Sequence, residues 1–272
     1  MTASSRRSFL EAFTLALPAA ALAVRSVGSA TLEARALAAD GLSVSMLFPT
    51  QPPELVEEMV VVAHGNVTRV KALVERQPTL AKATWDWGFG DWETALGAAS
   101  HVGHREIAEI LLAHGAHPTI FSAAMRGELE VVQAFIGASP GIARTRGPHS
   151  ISLLSHAKAG GLPAKRVHDY LQTVEGADDA PAVQPLSESE AGSIAGTYPF
   201  GVTPADRIEI TVNGAQAQIG RPGHYPRGLF HLGGLVFCPM GAESVRIAFE
   251  VGGGATVLTI HDPDVVLSAK KA

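Results

Sequence analysis

The feature that most restricts the fold of this chain is a unit that recurs between Glu54 and Leu171: a short alanine-containing run, a glycine turn, then an apolar run at helical period. The clearest copy reads Thr94-Ala95-Leu96-Gly97-Ala98-Ala99-Ser100-His101-Val102-Gly103-His104, followed by Glu106-Ile107-Ala108-Glu109-Ile110-Leu111-Leu112 and Gly115-Ala116. Thr94 is placed to cap a first helix, and Ala98 and Ala99 are small enough for neighbouring helices to approach closely. Gly103 permits a tight turn, and Ile107, Ile110 and Leu111 form the buried stripe of a second helix. Similar units run from Glu58 to Arg76 (turn at Gly65), from Ser122 to Ile136 (turn at Gly127) and, more weakly, from Ser152 to Leu171 (turn at Gly161). A single helix pair cannot bury its own apolar face, so about three or more must stack to hold a continuous core.

The copy at 94–116 is very similar to the ankyrin repeat, whose Thr-Pro-Leu-His start, paired alanines, Gly-His turn and closing Gly-Ala it follows. The resemblance implies an α-solenoid of about four repeats over residues 54–175. The turn glycines are 38, 24 and 34 residues apart (Gly65 to Gly103, to Gly127, to Gly161), against an ankyrin period of about 33. The first connection is therefore extended, and its extra length is Trp85-Asp86-Trp87-Gly88-Phe89-Gly90-Asp91-Trp92-Glu93, which holds all three tryptophans. In ankyrin arrays such fingers and the first helices line the partner-binding face. By resemblance, Trp85, Asp86, Trp87, Phe89, Asp91, Trp92 and Glu93, with His64 and His101, are the expected partner-binding residues. Exposed tryptophans offer large apolar area with a polar handle, and the three carboxylates make an acidic rim. The alternative is that the tryptophans fold inward and cover the neighbouring repeat.

His64, His101, His104, His114 and His117 cluster around two repeats. Imidazoles on adjacent repeats can converge, and two of them with a finger carboxylate such as Asp86 or Asp91 suit a divalent metal. His104, however, occupies the Gly-His position that is structural in ankyrin repeats. No Ser-His-Asp spacing, phosphate-cradling glycine loop, nucleophile elbow or His-Glu-x-x-His pattern is present. The expectation is a non-catalytic binding protein without cofactor or metal. A metal-dependent enzyme using His64, His101 and the carboxylates of 85–93 is an alternative, and it requires three such groups to meet at one point.

Past a polar, proline-containing linker at 176–191 the period switches to two. Arg207–Val212 alternates, Asn213-Gly214 marks a tight hairpin, and Ala215–Ile219 alternates again. Six or seven such strands over 192–272 predict a small antiparallel β-barrel or strongly curved sheet. Gly196-Thr197-Tyr198, Arg227–Leu232 and Val245–Phe249 resemble the β-barrel domain appended to penicillin-binding-protein-like serine hydrolases. A small apolar ligand in the barrel's mouth is a second functional alternative. Arg221, His224, Tyr225 and Arg227 share a glycine- and proline-rich loop that could receive an anionic group.

The N-terminus reads as an address. Ser5-Arg6-Arg7-Ser8-Phe9-Leu10 precedes an apolar run from Phe13 to Val24, shorter than the ~20 residues a spanning helix needs. Small residues follow, and the paired arginines resemble the twin-arginine signal, read by a receptor that exports folded proteins. Residues 1–30 are thus expected to be the signal and 31–53 a linker, with the mature chain periplasmic or extracellular and at the membrane only during export. The net charge of −5 with no later run of Lys or Arg argues against nucleic acid. The single Cys238 excludes an internal disulfide. The chain as a whole reads as α then β, and its expected partner is another protein.

Overall fold

The computed structural model of the protein describes Leu47 and residues 49–272. The expected signal at 1–30 and most of the 31–53 linker lie outside the described residues. Four helix pairs follow one another from residue 53: α1 (Pro53–Val62) with α2 (Val67–Arg76), α3 (Ala95–His101) with α4 (Arg105–Ala113), α5 (Ile120–Arg126) with α6 (Leu129–Ala138), and α7 (Leu153–Ala159) with α8 (Lys165–Leu171). Polar caps start one helix of each pair. Asn66 Oδ1 accepts from the Arg69 amide at 3.0 Å, Thr94 Oγ1 from Gly97 at 2.9 Å, and Ser152 Oγ from Ser155 at 3.2 Å. Thr119 and Ser122 form a reciprocal cap on α5.

The first helices pack in succession, α1 on α3, α3 on α5, α5 on α7. The alanines read from the sequence are what allow this: Ala98, Ala99, Ala123, Ala124 and Ala157 are all buried at the contacts. Two turn glycines are required twice over. Gly103 and Gly127 have φ of 76° and 80°, and a Cβ there would lie 2.1 Å from Ala159 O and 2.2 Å from Pro163 O respectively. Each turn is thus pressed against the backbone of a later pair.

The C-terminal part is an eight-stranded antiparallel meander: β3 (Gly196–Pro199), β4 (Arg207–Asn213), β5 (Gln216–Gly220), β6 (Arg227–Gly233), β7 (Val236–Pro239), β8 (Arg246–Gly252), β9 (Ala255–Asp262) and β10 (Asp264–Lys270). It curls almost into a barrel, and the Ala272 amide returns to Thr197 O at 2.8 Å. Tyr198, Ile210, Phe237, Ile247 and Leu258 fill the interior. The eighth strand was not legible because Val265 and Val266 are both exposed, which erases the period-two alternation. A short helix, α9 (Glu188–Ile194), also stands where the sequence reads as linker. A capping box between Ser187 and Glu190 starts it, and Tyr198 Oη donates to Ile194 O at 2.6 Å, tying it over the barrel.

No helix among the described residues is long and apolar enough to cross a membrane. Residues 51–272 form one compact unit, helices and barrel together.

Gly103→Ala and Gly127→Ala should each lower stability by at least ~2 kcal/mol, from left-handed backbone plus displacement of the facing carbonyl. For a unit of this size that is a fall of roughly 4–8 °C in melting temperature. Gly65→Ala, with nothing within 4 Å of its added Cβ, should leave melting almost unchanged, and calorimetry on the three variants checks the contrast.

Candidate metal centre between the helices and the barrel

The tryptophan-rich connection folds as a two-stranded hairpin, β1 (Thr84–Asp86) with β2 (Trp92–Thr94), paired Trp85 to Glu93 and Asp86 to Trp92. Paired residues share a face, so the hairpin turns Glu93 inward and Trp92 outward. Glu93 has no exposure, whereas Trp92 is 62% exposed. The loop between them is tight: Gly88, Phe89 and Gly90 all have positive φ, and Asp86 Oδ1 accepts the Gly88 amide at 2.8 Å. The expected acidic finger is therefore not a solvent-facing rim. Asp91 and Glu93 are buried, Trp85 and Trp87 pack on the first helical core, and Phe89 packs, partly buried, against the barrel's core.

Around Glu93 three imidazoles converge. His64 ends the first helix pair's turn, His101 closes α3, and His149 lies in a turn before α7. One ligand atom from each of His64, Glu93, His101 and His149 lies within 4.8 Å of every other. His101 Nε2 is 3.0 Å from Glu93 Oε1, and His64 Nε2 and His149 Nε2 are each 3.5 Å from Glu93 Oε2. His64 and His101 face each other through their Nε2 atoms at 3.1 Å. Donors bound to one first-row metal at ~2.1 Å are about 3–3.4 Å apart, and the separations of 3.0–3.5 Å around Glu93 are close to that.

The ring orientations are fixed from behind. His64 Nδ1 donates to Val60 O at 3.0 Å, which leaves its Nε2 lone pair facing the cluster. His149 Nδ1 pairs with Asp91 Oδ2 at 2.6 Å, presenting its own Nε2 toward Glu93. This carboxylate–histidine pairing is the usual support for a metal-ligating imidazole. Asp91 also accepts from the Arg227 guanidinium on β6 and, through Oδ1, from the His149 amide at 3.0 Å. Trp87 Nε1 donates to Glu93 Oε2 at 2.8 Å. Glu93 Oε1, though fully buried, has no well-directed hydrogen bond; its ion-pair neighbour is His101 Nε2 at 3.0 Å, which also faces His64.

Strain marks the same place. His149 and Ser150 have φ of 58° and 62°, a conformation that side-chain-bearing residues adopt at a cost and mostly where surroundings hold them. Here the holders are Asp91 on His149 and the Gly241 amide, which donates to Ser150 Oγ at 2.7 Å. Gly241 itself sits so close that an added Cβ would lie 2.1 Å from the Asp91 carboxyl carbon.

Electrostatics follow from this geometry. Burial raises the Glu93 carboxyl, but the His101 and His149 imidazoles close beside it outweigh that and hold the group at about 2. Burial lowers His149, but Asp91 and Glu93 overcome it and raise the imidazole to about 9. The metal-free centre is thus a compact ion cluster with an imidazolium inside it.

Of the residues expected to bind a partner, the structure gathers His64, Trp87, Asp91, Glu93 and His101 into this centre. Asp86 instead caps its own loop, Trp85 and Phe89 are packing residues, and Trp92 stands apart on the surface. Sequence reading missed His149. Its Gly147-Pro148-His149 context carries no metal-ligand spacing, and only the fold brings it to Glu93 from 56 positions away. Three of the groups named for the metal-dependent alternative, His64, Glu93 and His101, lie close together.

A family model for the ankyrin repeat matches residues 91–122, from Asp91 through α3 and α4 to the start of α5. No curated protein matches the chain. The chain therefore carries one ankyrin repeat, a module that mediates contact between proteins, followed by an almost closed barrel-like sheet.

The metal-free protein should respond to pH through the two shifted groups. His149 is raised, so its contribution is complete below pH ~6.5 and lost as pH rises through about 9. Glu93 is lowered, so its contribution is complete above pH ~4.5 and lost as pH falls through about 2. Between pH 6.5 and 9 the loss should be on the order of 3 kcal/mol, or roughly 5–10 °C in melting temperature. His149→Gln should flatten that alkaline decline in a melting series.

Proposed function

We propose that this protein binds a divalent first-row transition metal of the zinc class through His64, Glu93, His101 and His149. The observation that carries the reading is the fully buried Glu93 carboxylate, whose Oε1 lacks a well-directed hydrogen bond, among three imidazoles of which His64 and His149 are oriented by groups behind them. A buried carboxylate oxygen without a donor is costly, and a cation at this point satisfies it together with the facing Nε2 lone pairs. Three nitrogens and one carboxylate oxygen suit zinc, nickel, cobalt or iron(II) better than calcium or magnesium, which take oxygen shells. The centre is not sealed. His64 and His149 line a depression shared with Val61, Trp87, Tyr225 and Arg227, so the metal meets solvent and small molecules there. On this reading the protein acts on, or responds to, a small ligand at the metal.

The four helix pairs are, in the same proposal, four stacked ankyrin repeats of which the second is the best preserved. The protein they hold most firmly is their own barrel, since the finger is engaged by Arg227 and Gly241. The paired Arg6-Arg7 address fits as well: ligands drawn from residues 64 to 149 exist together only in a folded chain, and the twin-arginine route exports folded proteins.

One specific observation favours a second reading, an external protein partner. Trp92 is exposed on the outer face of the hairpin, beyond the metal centre. Trp92→Ala should abolish that contact with metal binding intact.

Metal content and calorimetric titration of the stripped, signal-free protein test the main reading. One zinc ion per chain is expected, with affinity reduced roughly 100-fold or more by Glu93→Gln or His101→Ala. Asp91→Asn should cost about 10–100-fold, as loss of a supporting carboxylate does. His117→Ala, outside the four-residue cluster, should bind as wild type. Zinc uptake unaffected by Glu93→Gln would sink the proposal.

A further inference from the structure

Beside the centre lies a cleft of about 370 Å³ between the finger and the barrel. Its walls are Trp85, Trp87 and Phe89 on one side and Ile208, Ile219 and Tyr225 on the other. The Trp87 and Tyr225 rings meet edge to face at 5.4 Å. Trp87, Tyr225 and Arg227 line both this cleft and the depression over His64 and His149, so the two spaces adjoin. An apolar cavity of roughly 150 Å³ accommodates benzene, so this cleft has room for a ring and a short arm.

The charges select the ligand's polar end. The buried carboxylates of Asp91 and Glu93 and the guanidinium of Arg227 are the fixed charges at the centre. A divalent ion added to them leaves one positive charge uncompensated among groups with little access to water, which is costly. One monoanion cancels it. Arg227 lines both spaces and brings its guanidinium to the centre through Asp91. The outer cleft has a different character: Glu57 and Asp86 lie there with Arg221 and His224, and Asp86 is already engaged by the Gly88 amide. A second anionic group on the ligand would meet those carboxylates, so the body is uncharged.

We propose that the cleft binds a small monoanion with a flat apolar or aromatic body, its anionic oxygens at the metal and Arg227, its body lying along Trp87 and Tyr225. The inference rests on the metal-binding reading and deepens it by naming the ligand class. It also gives the anion-receiving loop 221–227 an occupant.

Cobalt-loaded protein and three probes test it: benzoate, its neutral isostere benzamide, and acetate, which has the charge without the ring. Benzoate should shift the cobalt visible spectrum and bind at least tenfold more tightly than either of the others. The metal-stripped protein should bind benzoate at least tenfold more weakly. Tyr225→Ala, an exposed wall residue that touches no metal ligand directly, should weaken benzoate about tenfold while cobalt affinity and acetate binding stay as they were. Arg221→Gln, at the outer end, serves as a second wall variant and should alter benzoate affinity less than twofold. Equal binding of benzamide and benzoate, or equal binding with and without metal, overturns the inference. So does cobalt uptake with no benzoate response, which leaves the metal reading standing. Failure to take up cobalt or zinc at all overturns both, and the titration without ligand separates that case.

Discussion

The structure depends on one buried carboxylate. Asp91 is 2% exposed, and every group that satisfies it comes from a distant part of the chain: the His149 ring and amide from the turn before α7, the Arg227 guanidinium from β6. A charge in that position is tolerable only while all three are present, because removing one partner of a buried pair typically costs about 3–5 kcal/mol. The same interaction explains other features that look unrelated. It holds His149 in a strained conformation, orients its imidazole toward Glu93, and requires Gly241 where any side chain would strike the carboxylate. The centre is preorganised by the docking of the barrel onto the helices.

The fold was largely legible because its signals are local. Thr94 and the alanine pairs behave as the sequence suggests, and Asn213-Gly214 makes the hairpin between β4 and β5. The missed elements are those where local pattern fails. Strand β10 has no alternation since its Val265 and Val266 face water. Helix α9 is only about two turns long and starts within a proline-containing stretch, though its Ser187-to-Glu190 capping box was readable in principle.

The site was legible only in pieces. His64, His101 and the carboxylates of 85–93 were visible as candidate ligands, and Arg227 as part of a loop suited to anions. What sequence could not supply was which way the hairpin faces. A shift of one residue in its register would exchange Glu93 for Trp92 at the buried position. Nor could it relate the two domains, because contacts such as Arg227 to Asp91 span 136 residues and leave no periodic trace.

The linker at 176–191 looks like a place where the chain divides into two independent modules, and the Asp91–Arg227 contact means that it does not. A helical fragment ending there keeps all four candidate ligands but exposes Asp91 and Phe89 without the partners that hold the hairpin closed. A barrel fragment keeps Arg227 with no carboxylate to receive it. The two halves carry complementary parts of a single electrostatic lock, so they are interdependent as units of inheritance and of engineering. A recombined chain joining these helices to another barrel retains the ankyrin scaffold and loses the geometry at its centre unless the newcomer brings an equivalent arginine and a glycine beside it.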